Sequence, residues 1–543
     1  MKKTSFLEGA LIGVIGVVIC KILGLIYVIP FYAIIGSQGG ALYSYAYSIY
    51  SIFVSLASSG IPTAMSKVVS EYDTLGFNNT KERAYKIGSR IINILGIIIF
   101  IILFIFAKDI AYLIKGDITG GNTIEDVTLV IRVISTAILV VPAISVRKGY
   151  LEGHNRMVVS NISMVIEQIV RVLIIVLGSY ISYKVFKLPL KVAVAVAVSG
   201  ATIGALSSYI YIEYKMRKNP IHGDLKRKEE EKKYTDRLIL KKIILYALPF
   251  VLIALLRSIF STVDAFTVVK TMVNLGYDVN IAEEVFGITS TWASKLNMIV
   301  TSLVTGLSCA LVPNMMSSFV SGNYSDVNKK INQSLQVLLV SVLPMAFGLS
   351  FLAYPVWVTF YGYNSLGISI FAFYIFTSVT LTFNTILVDS TQTINNTKVS
   401  IGSLLISFII KASLNIPLMY LFNKLGLDAY YGYITSTMLS HIIAIIILMY
   451  NFKKQTKISY KDTFKIGTKI ILSVLIMLVC LSTLKLFIPI NIDSRISAIL
   501  ICALYAIVGG IIYLYIIYKF GIVDKIIGND NIRKYLKKFK KYR

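Results

Sequence analysis

Six basic side chains interrupt the long apolar stretches of this 543-residue chain: Lys21, Arg132, Arg171, Arg257, Lys295 and Lys411. Their acidic company is thinner, chiefly Glu167 and Asp264, with Asp389 nearer the end of its stretch. A charge at the centre of a membrane span costs at least about 2.5–3.5 kcal/mol, so each one needs a reason to be there. Glu167 and Arg171 stand four apart, the spacing of an ion pair within one helix, with Ser160 and Met164 along the same face. Arg257, Ser261 and Asp264 recur at helical spacing and share one polar face, two turns separating the charges. If all of these were structural pairs, the two signs would roughly balance. Unmatched cations inside a helix bundle imply a hydrated cavity that attracts anions. Lys21 and Arg257 fall at similar depths in the first span of each half, an arrangement suited to gripping a doubly negative group such as a diphosphate. The plain alternative for any one of them is a snorkelling or carbonyl-bonded side chain, above all for Arg132 near the end of its span.

The stretch "ALYSYAYSIYSIFVSLASSG" (41–60) carries Tyr43, Tyr45, Tyr47 and Tyr50 among its serines. It is too polar for a lipid-facing helix and suits one lining a wet cavity, where tyrosine and serine bond sugar hydroxyls. Interfacial aromatic belts account for some of these tyrosines equally well. No catalytic set is present: no phosphate-binding loop, nucleophile elbow or metal-ligand helix. Cys20, Cys309, Cys480 and Cys502 all fall in hydrophobic spans, and His154, His222 and His441 are far apart, so neither disulfides nor a bound metal or cofactor is expected. The work open to such a chain is transport driven by a gradient or the membrane potential, not enzymatic conversion.

The elements that hold these residues are read from composition. The chain is 56% hydrophobic and 15% charged, with a mean hydropathy of +0.75. Its apolar residues come in blocks long enough to cross a hydrocarbon core of about 30 Å. Fourteen such blocks run from 7–35 and 41–69 through 284–320 to 465–486 and 494–518, which gives an all-α polytopic membrane protein. The first block is too long for a signal peptide and is read as retained. The net charge of +27 gathers in alternate loops, at 215–233, 453–461 and 532–543, while "GSQGG" (36–40) and "YPVWVTFYGYNSLG" (354–367), read as loops on the opposite side, hold no Lys or Arg. That asymmetry puts both termini in the cytoplasm and makes the charge topological, with anionic lipids as partners and no role for nucleic acid.

The longest hydrophilic break follows span six, so span seven restarts with the orientation of span one and any repeat is a parallel one. "PTAMSKVVS" (62–70) and "PNMMSSFVS" (313–321) agree at five of nine positions. The expected organisation is an N-terminal lobe (1–214), a basic loop (215–241), a C-terminal lobe (242–450), a second loop (451–464), an appended helix pair (465–518) and a basic tail (519–543). Pro62, Pro142, Pro249, Pro313 and Pro417 are expected to bend their helices.

The segments "KILGLIYVIPFYAIIG" (21–36), "SGIPTAMSKVVSEY" (59–72), "RKGYLEGHNRM" (147–157) with "IEQIVRV" (166–172), "GLSCALVPNMMSSF" (306–319) and "STQTINNTKVSIGSLLISFIIKASLNIPLM" (390–419) carry a resemblance. The chain resembles the multidrug/oligosaccharidyl-lipid/polysaccharide exporter superfamily, in the branch of stage V sporulation protein B and the MurJ-type lipid II flippases. The resemblance implies two six-helix lobes forming a V around a cationic cavity, with the last pair bordering a groove for lipid tails. It implies alternating access that moves an undecaprenyl-diphosphate-linked saccharide, most readily lipid II, to the outer leaflet of a bacterial plasma membrane. Lys21 takes the place of the cavity arginines on the first helix, and Lys295 that of the eighth. The family's arginine on the second helix has no counterpart before Lys67. Some relatives bind sodium in the C-terminal lobe, where Lys411 would act as a built-in cation. Substrate-binding cations are thus expected at Lys21, Arg257 and Lys295, with Arg171, Glu167, Asp264, Lys411 and Ser261 as cavity polar or coupling groups in a monomer. Three rivals stand beside this: a carrier of another lipid-linked oligosaccharide, a drug exporter, which would want an acidic cavity and twelve spans, and a scaffold recruiting wall-synthesis enzymes through its basic loops.

Overall fold

The computed structural model describes residues 6–219, 229–490, 492 and 494–522; the tail 532–543 and residues 220–228 of the first basic loop lie outside them. Among the described residues, helix dominates, no strand occurs, and twelve helices are long and apolar enough to cross a membrane. This is a multi-pass helical membrane protein. The two further stretches expected to cross, 7–35 and 284–320, are helical as well.

The chain divides into two compact units, Met1–Lys295 with Phe408–Tyr433, and Leu296–Ser407 with Ile434–Arg543. In chain order the helices are α1 (Phe6–Ile26), α2 (Val28–Ser58), α3 (Ile61–Thr74), α4 (Asn78–Ile105), α5 (Ala107–Lys115), α6 (Ile124–Ser135), α7 (Ala137–Gly153), α8 (Met157–Leu173), α9 (Leu190–Lys218), α10 (Asp236–Asn274) and α11 (Val279–Gly287). They continue with α12 (Ala293–Val320), α13 (Tyr324–Phe351), α14 (Ala353–Tyr361), α15 (Ser365–Tyr374), α16 (Phe376–Thr393), α17 (Thr397–Lys424), α18 (Ala429–Thr456), α19 (Lys461–Phe487) and α20 (Arg495–Lys519).

Two series of these helices share their punctuation. The turn after α3 holds Gly76 at φ 70° and bonds Phe77 N to Tyr72 O at 2.9 Å; the turn after α12 holds Gly322 at φ 72° and bonds Asn323 N to Ser318 O at 2.9 Å. Both are left-handed helix stops that recover orphaned carbonyls. The 28-residue α4 and the 28-residue α13 each run into a nine-residue helix, α5 and α14, closed by Gly116 and Gly362. A break then falls at Thr136 between α6 and α7, and at Ile375 between α15 and α16. Asn155 (φ 56°) and Asn395 (φ 58°) close α7 and α16.

Three local expectations change. Residues 36–40, read as a loop, lie inside α2, where Gly36 at φ 65° kinks the helix without ending it. Residues 354–367, read as a connecting loop, contain α14, because Trp357 is fully buried with its indole against Gly367 and anchors a helical turn. Pro62 does not bend a continuous helix but opens a new one: Gly60 at φ 76° ends the preceding run, and a first-turn proline gives up an N–H that has no helical partner anyway. Pro142, Pro249 and Pro417 do lie inside helices; Pro313 lies in α12, its side chain outside the described set. Pro142 cannot bond the Ile138 carbonyl, and Gly96 of α4 packs there, where a Cβ would stand 2.9 Å from that oxygen. Gly200 and Gly204 bring α9 onto the backbone of α8, where a Cβ would meet Arg171 O at 3.0 Å and Glu167 O at 2.7 Å. That close approach fixes α8, the helix that carries the Glu167/Arg171 pair.

Candidate functional site: a charged cluster between spans

Arg171 donates through Nη2 to Glu167 Oε1 at 2.6 Å, the intrahelical pair that the spacing predicts. A second cation holds the same carboxylate, Lys148 Nζ of α7 at 3.5 Å from Glu167 Oε2. One and two turns back on α8, Met164 O receives Cys20 Sγ of α1 at 3.7 Å, and Ser160 donates to Glu152 at 2.7 Å. α1 therefore lies along the polar face of α8, with Lys21 next to Cys20 and half-buried.

α2 supplies the aromatic side of the cluster. The Tyr43 and Tyr47 rings are 4.4 Å apart and those of Tyr47 and Tyr50 are 5.8 Å apart, one following another along the helix. All three lie within electrostatic reach of Arg171. Tyr47 is also within reach of Lys295, whose ammonium sits 5.5 Å from the Tyr27 ring. Arg171, Glu167 and Lys295, far apart in sequence, thus share one neighbourhood built on α1, α2, α8 and the start of α12.

α10 divides its polar face. Ser258 Oγ meets Ser55 Oγ at 2.6 Å and Thr262 donates to Ser48 O at 3.2 Å, fastening α10 to α2. Arg257 and Ser261 are exposed. Asp264 turns to α17, where Lys411 Nζ lies 2.8 Å from Oδ2 and Asn415 Nδ2 lies 3.2 Å from Oδ1 and 2.7 Å from Thr267 Oγ1. Lys411 also sits 4.5 Å from the Phe260 ring. The expected built-in cation is therefore the partner of Asp264. Arg132 stays apart from these groups, stacked on Phe104 and donating to its carbonyl.

Lys148, Tyr27 and Asn415 were not singled out by spacing. Asn415 carried a readable signal, one turn beyond Lys411 on the same face. Lys148 sits near the end of its span, where positive-inside logic explains a lysine without further purpose.

In the other unit, α12, α13, α19 and α20 enclose an apolar cavity of about 380 Å³, lined among others by Pro344, Gly348, Leu481, Gly509 and Tyr513. The two phenols in its lining are occupied, Tyr513 donating to Val340 O at 2.8 Å and Tyr505 to Ile488 O at 2.6 Å.

The model of the polysaccharide biosynthesis protein family matches residues 6–320. The lipid II flippase MurJ of Bacillus subtilis (strain 168) is 32% identical over 97% of this chain and 97% of its own length. The chain belongs to the polysaccharide biosynthesis protein family. The stage V sporulation protein B of the same organism is more distant, 22% identical over 63% of this chain and 64% of its own. The fold matches a solved lipid II flippase MurJ in an inward-closed conformation with a TM-score of 0.68, at 16% identity, over 94% of this chain and 99% of that one. A member of the polysaccharide biosynthesis protein family with this architecture is a transporter and not an enzyme.

Proposed function

We propose that this chain is a flippase for lipid II, carrying it from the inner to the outer leaflet by alternating access. In this reading both termini are cytoplasmic, fourteen helices cross the membrane, and helices of residues 1–214 and 242–450 form two lobes around a hydrated chamber. Lys21, Arg257 and Lys295 grip the diphosphate, and one chain is the working unit. The polyprenyl tail stays outside the chamber, a section of it lying in the apolar cavity beside α19 and α20, whose two lining phenols are already bonded to backbone carbonyls.

One observation carries the reading. Glu167 is held by Arg171 and Lys148, and Asp264 by Lys411. The deep basic positions outnumber the deep acidic ones in the sequence, which supports a net positive charge at membrane depth suited to an anionic cargo. A drug exporter of organic cations would need the opposite sign. The identity with a lipid II flippase along nearly the whole chain supports the same cargo.

The test is lipid II flipping in proteoliposomes, read as the fraction of fluorescent lipid II reaching the opposite leaflet. Lys21→Ala and Arg257→Ala are expected to abolish flipping while the protein still inserts and keeps its Tm. Normal flipping by both variants would remove the cationic grip. A wild-type chain that flips another lipid-linked saccharide but not lipid II would replace the cargo and keep the mechanism.

A further inference from the structure

Among the described residues, two polar atoms in the charged cluster are buried without a geometrically formed hydrogen bond: Tyr47 Oη on α2 and Arg171 Nε on α8. Buried polar atoms are nearly always bonded, and leaving one unmet costs about 1–3 kcal/mol. The Tyr43 hydroxyl stands beside Tyr47 and faces its oxygen as a donor, which leaves the Tyr47 proton unused. Glu167 is engaged by Arg171 Nη2 and by Lys148, so it does not turn to serve Arg171 Nε.

The chemistry of the pair selects its guest. Both atoms offer a proton, so they suit an acceptor oxygen. The Arg171 charge is matched by Glu167 at 2.6 Å, which leaves Nε–H as a directional donor rather than an anion trap. The Tyr43 and Tyr50 rings pack around the Tyr47 ring and keep its hydroxyl in an apolar setting, and the neutral phenol donor suits an uncharged acceptor oxygen. We propose that Tyr47 and Arg171 form a subsite that hydrogen-bonds an uncharged oxygen of the saccharide headgroup, a hydroxyl or an N-acetyl carbonyl, separate from the cations that hold the diphosphate. This rests on the flippase reading and adds to it a residue pair that distinguishes a sugar-bearing lipid from a bare polyprenyl diphosphate.

The experiment compares binding of two lipids, lipid II and undecaprenyl diphosphate, to the full-length purified chain by native mass spectrometry titration. Tyr47→Phe removes a hydroxyl whose own proton has no acceptor among the described residues. It is expected to weaken lipid II by about 3- to 10-fold, the value of one hydrogen bond, and to leave undecaprenyl diphosphate unchanged. Arg171→Lys keeps the charge beside Glu167 but loses Nε–H, and is expected to show the same selective loss. Wild-type affinity of both variants for lipid II would overturn the subsite, as would an equal loss for both lipids, which would assign these donors to phosphate. A wild-type chain that binds neither lipid would instead overturn the flippase reading beneath it.

Discussion

α8 and α17 occupy the same place in the two series of helices, and each carries a basic residue at the same distance from its first residue, Arg171 after Met157 and Lys411 after Thr397. The two cations are satisfied in different ways. Arg171 takes a carboxylate from its own helix, one turn back at Glu167. At the matching place on α17 stands Ser407, which donates to Ser440 O, and the carboxylate comes from α10 instead, as Asp264. The Lys411 pair therefore ties two helices together, with the lysine side chain 2% exposed and Asn415 joining Asp264 to Thr267. The Arg171–Glu167 pair stays on one helix, with only the longer 3.5 Å contact from Lys148 reaching it from α7; it is 24% and 18% exposed and keeps an unmet donor. One position has become a lock and its counterpart a presented group.

The largest expected effect breaks the lock. Lys411→Met strands Asp264 with only Asn415 beside it, and removing one partner of a buried pair costs about 3–5 kcal/mol. Unfolding of the purified protein in detergent should show that loss, and adding Asp264→Leu should restore most of it, since two apolar residues need no compensation. If Lys411→Met unfolds like wild type, the pair holds nothing together. Arg171→Gln is expected to cost less, about 2 kcal/mol for a charge-assisted bond, because Lys148 remains beside Glu167. The same variant should depress flipping far more than its stability predicts. Equal destabilisation by the two substitutions would erase the contrast between α8 and α17.

The α8 half of this contrast was legible in sequence because both members sit on one helix, where spacing alone decides proximity. The α17 half was not. Lys411 and Asp264 are 147 positions apart, and each could be seen only as a deep charge in want of a reason. The character of the fold was equally plain, since hydropathy measures directly what a membrane span requires. What escaped were the interruptions. Phe106, Thr136, Leu352 and Ile375 break helices inside apolar runs with no Gly or Pro at the break itself, so composition passes over them, whereas Gly60 and Pro62 announce theirs. α14 was hidden for the same reason in reverse: its Tyr, Gly and Asn neighbours resemble a loop, and only the burial of Trp357 makes it a helix.

The smallest expected effect is the sharpest test of the comparison. A hydroxyl whose proton is unused and whose oxygen meets only the Tyr43 hydroxyl contributes little to stability, so Tyr47→Phe should shift unfolding by no more than about 0.5 kcal/mol in either direction. The ring stays, and with it the contacts to Tyr43 and Tyr50. A residue kept only for packing would then be replaceable without consequence, and flipping by Tyr47→Phe would match wild type. A residue kept for cargo would give a stable protein that flips lipid II more slowly. If Tyr47→Phe instead loses stability on the scale of Arg171→Gln, the hydroxyl is part of the scaffold, and α8 is locked to α2 just as α17 is locked to α10.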